Sequence, residues 1–502
     1  MATGESLPEE YDAFIDHVER LTAIQDAGGV LSWDQQVTMP ESGTPARSKQ
    51  QSALSSVSHD LLTSEAMADW LDRFEGAELP ADQQAVVREI DREFERADRV
   101  PRELVEELSE TTSEALSVWE QAKADDEFEQ FASTLEELVE LRREYAAHID
   151  PDADPYAVLF ADYEPYLELE TAERILTRLR EELVPLIDDI AASDADIATD
   201  AFAGTFDTDT QEQLSRKALD LLGFDWERGR LDTSSHPFTS GNQFDTRITT
   251  RFDESDPLGA LTATIHEFGH ATYGLGLPQE AYGTPLGQPR DLSIHESQSR
   301  LWENHVGRSQ AWWELFLPSV KDHFDGVDDL TAREAYEAAN QVYDDNLIRV
   351  EADELTYHMH IVLRFEIERA LISGDLDVED VPQVWNEKME EYLGVRPDTD
   401  AEGCLQDIHW SHGNFGYFPT YSLGSVAAAQ LFAAASEEID DIEGRTRRGE
   451  FDALHDWLEE NVHAHGQRYT TDELIERATG EPLTADYFLE HVTEKYTALY
   501  DL

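Results

Sequence analysis

Three residues near the middle of the chain have types and spacing that could do chemistry. His266 and His270 stand four apart, with Glu267 directly after the first, in the run Thr264-Ile265-His266-Glu267-Phe268-Gly269-His270. Four residues is about one turn of ~3.6 on an α-helix, so the two imidazoles would stack on one face and could share a metal ion. Glu267 would sit roughly 100° round the same helix, within reach of a water on that metal without being forced to ligate it. This is the layout of a metal-assisted hydrolase with a general base beside its metal. The plain alternative is a pair of core histidines bonded to their neighbours. It leaves unexplained why several polar groups share one buried face.

A catalytic site of this kind needs a third protein ligand and one open position. Glu296 is the natural candidate, 26 positions after His270 and on the next predicted helix. That distance fits a helix, a connection and a returning helix. His295 would point about 100° away from Glu296 on a helix, and Glu303 lies two turns on. Both are weaker competitors for the metal.

The elements that must hold these groups are mostly helical. From Pro8 to about Ile190, apolar residues such as Phe14, Val18 and Leu21 recur at three and four, with charges on the other faces. Breaks are predicted at Gly28-Gly29, Met39-Pro40, Leu79-Pro80, Val100-Pro101 and Asp150 to Pro155. Asp245 to Phe252 alternates and is rich in Thr and Ile, which predicts a strand and a small sheet. Glu254-Ser255-Asp256-Pro257 reads as an N-cap with proline at the first helical position, opening a helix that ends near Gly274 or Gly276. Further helices are expected over Asp291–Val306 and over a long stretch from Ala332 to Ile372. Gly403 to Gly424 reads as a loop rich in glycine and aromatics, and helix resumes from Ser422. No repeat or linker divides the chain, so residues 1–502 are expected to form one large, mainly α domain.

Composition narrows the setting. The 502 residues include 109 acids against 37 basic residues, a formal charge of -72. Such a chain is repelled by nucleic-acid phosphates and anionic membranes. The acids are interleaved with apolar residues at helical spacing and with ten Trp, which argues for a folded protein with an acidic shell rather than disorder. In molar salt the screening length falls to about 3 Å, so the self-repulsion of such a shell costs little. A halophilic cytoplasm is the expected setting. The single Cys404 excludes an intrachain disulfide. Met1-Ala-Thr-Gly-Glu lacks the basic and apolar regions of a signal peptide, and no run of about 18 apolar residues predicts a membrane span.

Together these stretches resemble a known family. His266-Glu267-Phe268-Gly269-His270, followed by His295-Glu296-Ser297-Gln298-Ser299-Arg300-Leu301-Trp302-Glu303-Asn304, resembles the M32 metallocarboxypeptidases, the thermostable carboxypeptidase Taq family. Further stretches match in the same order: His236-Pro237-Phe238, Asp245-Thr246-Arg247-Ile248-Thr249, Ile348-Arg349-Val350-Glu351-Ala352-Asp353, and Gly403 to Trp410. Leu31-Ser32-Trp33-Asp34, Met39-Pro40 and Arg47 also look like that family. The likeness spans nearly the whole chain, and only the acidic surface is unusual.

The resemblance implies a helical peptidase fold with a deep substrate groove, similar to neurolysin-like and angiotensin-converting-enzyme-like peptidases, with the small sheet near the active site. It implies a homodimer, peptide substrates with a free C-terminus, release of single C-terminal residues, and one divalent metal, zinc first and cobalt second. Carried over by position, the ligands are His266, His270 and Glu296, with Glu267 as general base. His409 and Tyr421 are candidate donors to the oxyanion. An exopeptidase in so negative a chain needs a placed cation for the substrate carboxylate, and arginine suits a bidentate contact. Arg349 is the first candidate and Arg247 the second. Asp353, four residues from Arg349, could instead hold it in place. His358 and His360, two apart, read as structural. The alternatives are an oligopeptidase or dipeptidase on the same scaffold, or an acidic binding protein with a dead site.

Overall fold

The computed structural model describes residues 7–343 and 345–502, so the leader expectation drawn from Met1 to Glu5 lies outside the described residues. Helices dominate. α1 (Leu7–Val37) opens the described chain and runs straight through Gly28-Gly29, where a break was expected. Nothing lies within 4 Å of a Cβ built on either glycine, and both keep helical backbone. Glycine lowers helix stability by about 1 kcal/mol against alanine, which a helix of 31 residues absorbs. The proline breaks hold: separate helices span Ala81–Arg99, Arg102–Asp125, Glu129–Ile149 and Pro155–Phe160.

The sheet is larger than the predicted strand. β1 (Gly229–Thr233), β2 (Thr239–Gly241) and β3 (Thr246–Thr250) lie in the order β1-β3-β2. β1 runs parallel to β3 with Leu231 opposite Ile248, and β2 runs antiparallel with Thr239 opposite the same Ile248. Ile248, Thr249 and Thr250 are buried, as the central position of β3 requires. Next comes α2 (Pro257–Gly276), whose N-cap Asp256 accepts from the backbone N–H of Gly259 at 2.8 Å. Thr250 Oγ1 on β3 donates to the carbonyl of Ala260 at 3.3 Å, so the sheet seats the first turn of α2. Phe268 on α2 packs edge-on against Trp302, ring centres 5.1 Å apart, inside the main core. Burying such a side chain stabilises by about 1.5–3 kcal/mol.

α3 (Leu292–Arg300) does not continue to Val306 as an α-helix. Leu301–Gly307 is a π-helical turn, a local widening often found at functional sites. The long helix expected from Ala332 to Ile372 is two helices, α4 (Ala332–Ala339) and α5 (Tyr357–Ser373). Asn340 stops the first, its side chain donating to the carbonyls of Arg308 and Tyr336. Asp353 caps the second, accepting from the N–H groups of Leu355 and Thr356 at 3.0 and 2.9 Å. No glycine or proline lies between Ala339 and Tyr357 to signal the interruption. α6 (Pro419–Glu438) begins with proline in its first turn. Tyr421 and Gly424 are therefore helical, and the predicted loop stops at Phe418.

A smaller core gathers Phe14 and Val18 of α1 with Met67, Leu71, Phe74 and Ile90. The helix Thr44–Leu62 beside α1 buries only Arg47, which holds it to the Leu31 carbonyl and Asp34. No helix among the described residues is long and apolar enough to cross a membrane. Gly28→Ala fills open space in a continuous helix. It should stabilise the protein by about 0.5–1 kcal/mol, read as a raised denaturant midpoint. A lowered midpoint would mean that the glycine pair serves as more than helix backbone.

Candidate active site

α2 and α3 cross at contact distance because residue 269 has no side chain. A Cβ on Gly269 would lie 2.4 Å from the carbonyl oxygen of Gln298 and 2.5 Å from Cα of Ser299. α6 presses on the other side of α3, where a Cβ on Gly424 would lie 2.5 Å from Cγ of Glu296. Glu296 is thus held between two helices with its carboxylate over the faces of His266 and His270.

The distances fit one divalent ion. Nε2 of His266 and Nε2 of His270 lie 3.6 and 3.5 Å from Glu296 Oε2. The three donor atoms all fall within 4.8 Å of one another. Metal–ligand bonds of about 2.0–2.2 Å in tetrahedral geometry require ligand spacings near ~3.4 Å. Two nitrogens and one carboxylate oxygen form the donor set of a catalytic site with a position left for water. His266, His270 and Glu296 therefore stand together as the sequence predicts, at one-turn spacing and on the returning helix.

The two competitors stand behind the ligands. Glu303 Oε2 lies 2.8 Å from Nδ1 of His266, and His295 Nδ1 lies 2.6 Å from Nδ1 of His270. The π-helical turn carries Glu303 round to this position. A carboxylate behind a ligating imidazole fixes its ring and its tautomer. Arg300 ties the two acids together, its Nε 2.7 Å from Glu296 Oε1 and its Nη1 3.0 Å from Glu303 Oε2. Burial works to raise the pKa of Glu296, but Arg300 and the two histidines outweigh it and hold the carboxyl well below its usual range. Burial, aided by His270, pushes His295 down to about 3, so its ring is neutral. Glu267 is buried on the adjacent face of α2, its Oε2 2.7 Å from Oγ1 of Thr239 on β2.

From Arg300 a chain of contacts leads to the candidate carboxylate reader. The Arg300 guanidinium lies 5.0 Å from the ring centre of Tyr357. The Tyr357 hydroxyl accepts from Arg349 Nη1 at 3.0 Å. Arg349 Nε and Nη2 reach Asp407 Oδ1 at 2.9 and 2.8 Å, and Arg364 Nε reaches Oδ2 at 2.6 Å. Asp353 is not the partner of Arg349. Residues 349–351 form a short 3-10 turn rather than part of an α-helix, so the four-residue spacing does not bring the two side chains together. Burial opposes ionisation of Asp407, yet Arg364 and Arg349 hold its pKa well below the ordinary carboxylate value. Two guanidinium groups share this single carboxylate, so one positive charge is left over.

Tyr421 and His409 flank that cluster. The Tyr421 ring centre lies 5.4 Å from the Arg349 guanidinium, and its hydroxyl is 3.5 Å from that of Tyr417. Burial raises the Tyr421 phenol well above its usual value, keeping it a donor. Burial pushes His409 down to about 4, and its Nδ1 has no hydrogen-bond partner. Arg247 lies elsewhere, on β3. It pairs with Asp245 at 2.7 Å, and its guanidinium is 4.3 Å from the ring centre of Trp33 on α1. There it lines a recess of about 380 Å³ together with Trp33, Ser240, Gly241, Asp26 and Glu93. His358 bonds Ser422 at 2.9 Å, and the backbone carbonyl of His360 accepts from Arg364 at 2.7 Å.

Sequence reasoning missed Thr239, Tyr357, Arg364, Asp407 and Tyr417 as members of the site. Asp407 and Thr239 lie in stretches whose composition stood out, whereas Arg364 carried no signal.

Helices that carry two histidines and a glutamate to one point, with a glutamate base on the adjacent face, define a metallopeptidase. Residues 13–496 match the family described as Carboxypeptidase Taq (M32) metallopeptidase. The chain is similar to thermostable carboxypeptidase 1 of Thermus thermophilus, 38% identical over 504 positions covering 98% of this chain and 99% of the relative. Carboxypeptidase 1 of Bacillus subtilis is 36% identical over 493 positions, covering 97% and 98%. Among solved structures, the M32 carboxypeptidase from Deinococcus radiodurans superposes with a TM-score of 0.95 at 36% identity, over 98% of this chain and all (100%) of the other. The chain belongs to the M32 family and is a metallocarboxypeptidase.

Two substitutions test the geometry. Gly424→Ala should drive Cβ into Glu296 and lower retained metal after dialysis, while helix content is kept. Wild-type metal content in that variant would show that Glu296 is not a ligand. Asp407→Asn leaves two buried guanidinium groups without their carboxylate and should cost about 3–5 kcal/mol of stability at neutral pH. The folded pKa of Asp407 is lowered. Its contribution is therefore complete above the ordinary carboxylate value and is lost as pH falls through the lowered one. Denaturant curves of wild type and variant should converge in acid.

Proposed function

We propose that this enzyme removes single residues from the C-termini of peptides, with residues 1–502 acting as one catalytic domain. The observation that carries the reading is the uncompensated positive charge of Arg349, Arg364 and Asp407, one tyrosine away from the three metal-binding side chains. In a chain of net charge -72, a buried surplus cation needs an anionic partner. The α-carboxylate of a peptide is such a partner. Arg349 supplies the contact, and Arg247 in the recess beside β2 is a second contact further along the substrate.

A divalent ion held by His266, His270 and Glu296, zinc first and cobalt second, would act as Lewis acid and activate a water. Glu267 takes the proton from the attacking water and passes it to the leaving amine. Thr239 orients the Glu267 carboxylate for both transfers. Tyr421 and neutral His409 donate to the oxyanion that develops on the scissile carbonyl. Each is a donor that stays uncharged at neutral pH, so neither competes with Arg349 for the substrate carboxylate.

Digestion of a short peptide with and without chelator tests the reading. Stepwise release of free C-terminal amino acids, abolished by chelator, is the expected result. Dipeptides or internal fragments would instead favour an oligopeptidase, and no product with metal bound would favour a dead scaffold. Glu267→Gln should lower kcat by about 10²–10⁴-fold with metal retained. Arg349→Ala should narrow the preference for free over amidated C-termini by on the order of 10–100-fold, as expected for losing a hydrogen bond to a charged group. An unchanged preference would remove Arg349 from the substrate site.

The same reading places the enzyme as a homodimer in a salt-rich cytoplasm. Light scattering tests the dimer. Activity and helical signal should fall on transfer from molar salt to dilute buffer, where screening of the acidic shell is lost. Full activity in dilute buffer would overturn the halophilic setting.

A further inference from the structure

Glu368 on α5 is fully buried, at 0% exposure, and none of the chemistry above uses it. Its Oε1 accepts from Nε1 of Trp410 at 2.9 Å. Its Oε2 accepts from the Tyr156 hydroxyl and from the backbone N–H of Gly416, both at 3.0 Å. All three partners are neutral donors. Arg364, one turn away on α5, spends its guanidinium on Asp407 and on the His360 carbonyl. A buried carboxylate without a counter-ion is costly, and burial pushes this one up to about 7 against the pull of its three donors.

The identity of the donors shows what that cost achieves. Trp410 follows His409, and Gly416 precedes Tyr417. The carboxylate therefore grips both ends of the short segment that carries these two rings. Between them the segment has no regular strand or α-helix of its own. Gly416 has φ +88°, and a Cβ there would lie 2.7 Å from the backbone nitrogen of Phe160. The segment is thus pressed on one side against the end of the helix Pro155–Phe160 and tied on the other to α5. The His409 ring, 4.6 Å from Phe418 and 5.3 Å from Tyr417 between ring centres, takes its place from this backbone. Glutamine has the same shape but cannot replace the acid, because its amide group would face either the Trp410 or the Gly416 N–H, donor against donor.

We propose that Glu368 is a positioning residue for the peptidase reaction, holding the 409–417 segment by both ends so that His409 and the neighbouring tyrosines meet the scissile carbonyl. The inference rests on the reading of His409 as an oxyanion donor.

The test uses the zinc-reconstituted full chain and compares Glu368→Gln, Trp410→Phe, His409→Ala and the Glu368→Gln/His409→Ala double variant. Glu368→Gln should lower kcat on the order of 10–100-fold, the cost of misplacing a catalytic group by about 1 Å. KM and metal content should stay at wild-type level. The loss should be non-additive in the double variant, since both changes act through one group. Trp410→Phe removes one donor while keeping the acid, so it should lower kcat in the same direction if Glu368→Gln fails to fold. Folded Glu368→Gln or Trp410→Phe with lowered Tm but wild-type kcat overturns the proposal, as does full additivity. Wild-type kcat in His409→Ala removes the inference together with the reading beneath it. An impaired His409→Ala beside an unimpaired Glu368→Gln overturns the inference alone.

Discussion

Everything at this site depends on how closely three helices can approach. A metal ligand set must converge within a few ångströms, yet helix axes ordinarily pack about 8–10 Å apart with side chains between them. The chain meets this constraint by omission. Gly269 lets α2 touch the backbone of α3, and Gly424 lets α6 touch the side chain of Glu296. Each glycine costs about 1 kcal/mol of helix propensity, far less than the clash a methyl group would cause. Glu296 is thereby wedged, and its carboxylate is positioned over the two imidazoles by packing rather than by choice among rotamers.

Electrostatics completes what packing begins. Arg300 binds both Glu296 and Glu303, and Glu303 backs His266, so acids and bases alternate outward from the centre. Tyr357 then separates this set from a second one, Arg349 with Asp407 and Arg364. The inner set is rich in acid, as a cation site must be, and the outer set is rich in base. A peptide end lying between them would meet opposite polarities at its carbonyl and at its carboxylate, which gives it one orientation. The acidic shell contributes to this contrast, because in a surface so negative a buried positive cluster is the exception.

The parts of this arrangement that follow from local periodicity were legible in the sequence. One helical turn explains His266, Glu267 and His270, and one returning helix explains Glu296. The parts that depend on distant contacts were hidden. Arg349 finds its partner 58 positions away in Asp407 rather than at the four-residue spacing of Asp353, because the helix expected there is interrupted. That interruption itself comes from side-chain caps at Asn340 and Asp353, not from proline or glycine. The start of α6 at Pro419 was misplaced for a related reason: aromatic residues crowd its first turn to line the site, and they read as loop. Gly28-Gly29 erred in the opposite direction, a breaker pair carried along by a long helix.

The π-helical turn at Leu301–Gly307 acts as a gear between two registers. Residues before it are phased to the metal-binding face, and residues after it, such as His305 against Phe432 and His491, are phased to the C-terminal helices. One extra residue of winding lets a single stretch of chain serve two partners that an unbroken α-helix could not face together. Deleting a residue inside this turn would rotate everything beyond it by about 100°, turning Glu303 from the back of His266 while leaving every metal ligand in the sequence intact. In M32 relatives, the length of this segment is therefore a better guide to a competent centre than the presence of the ligands themselves.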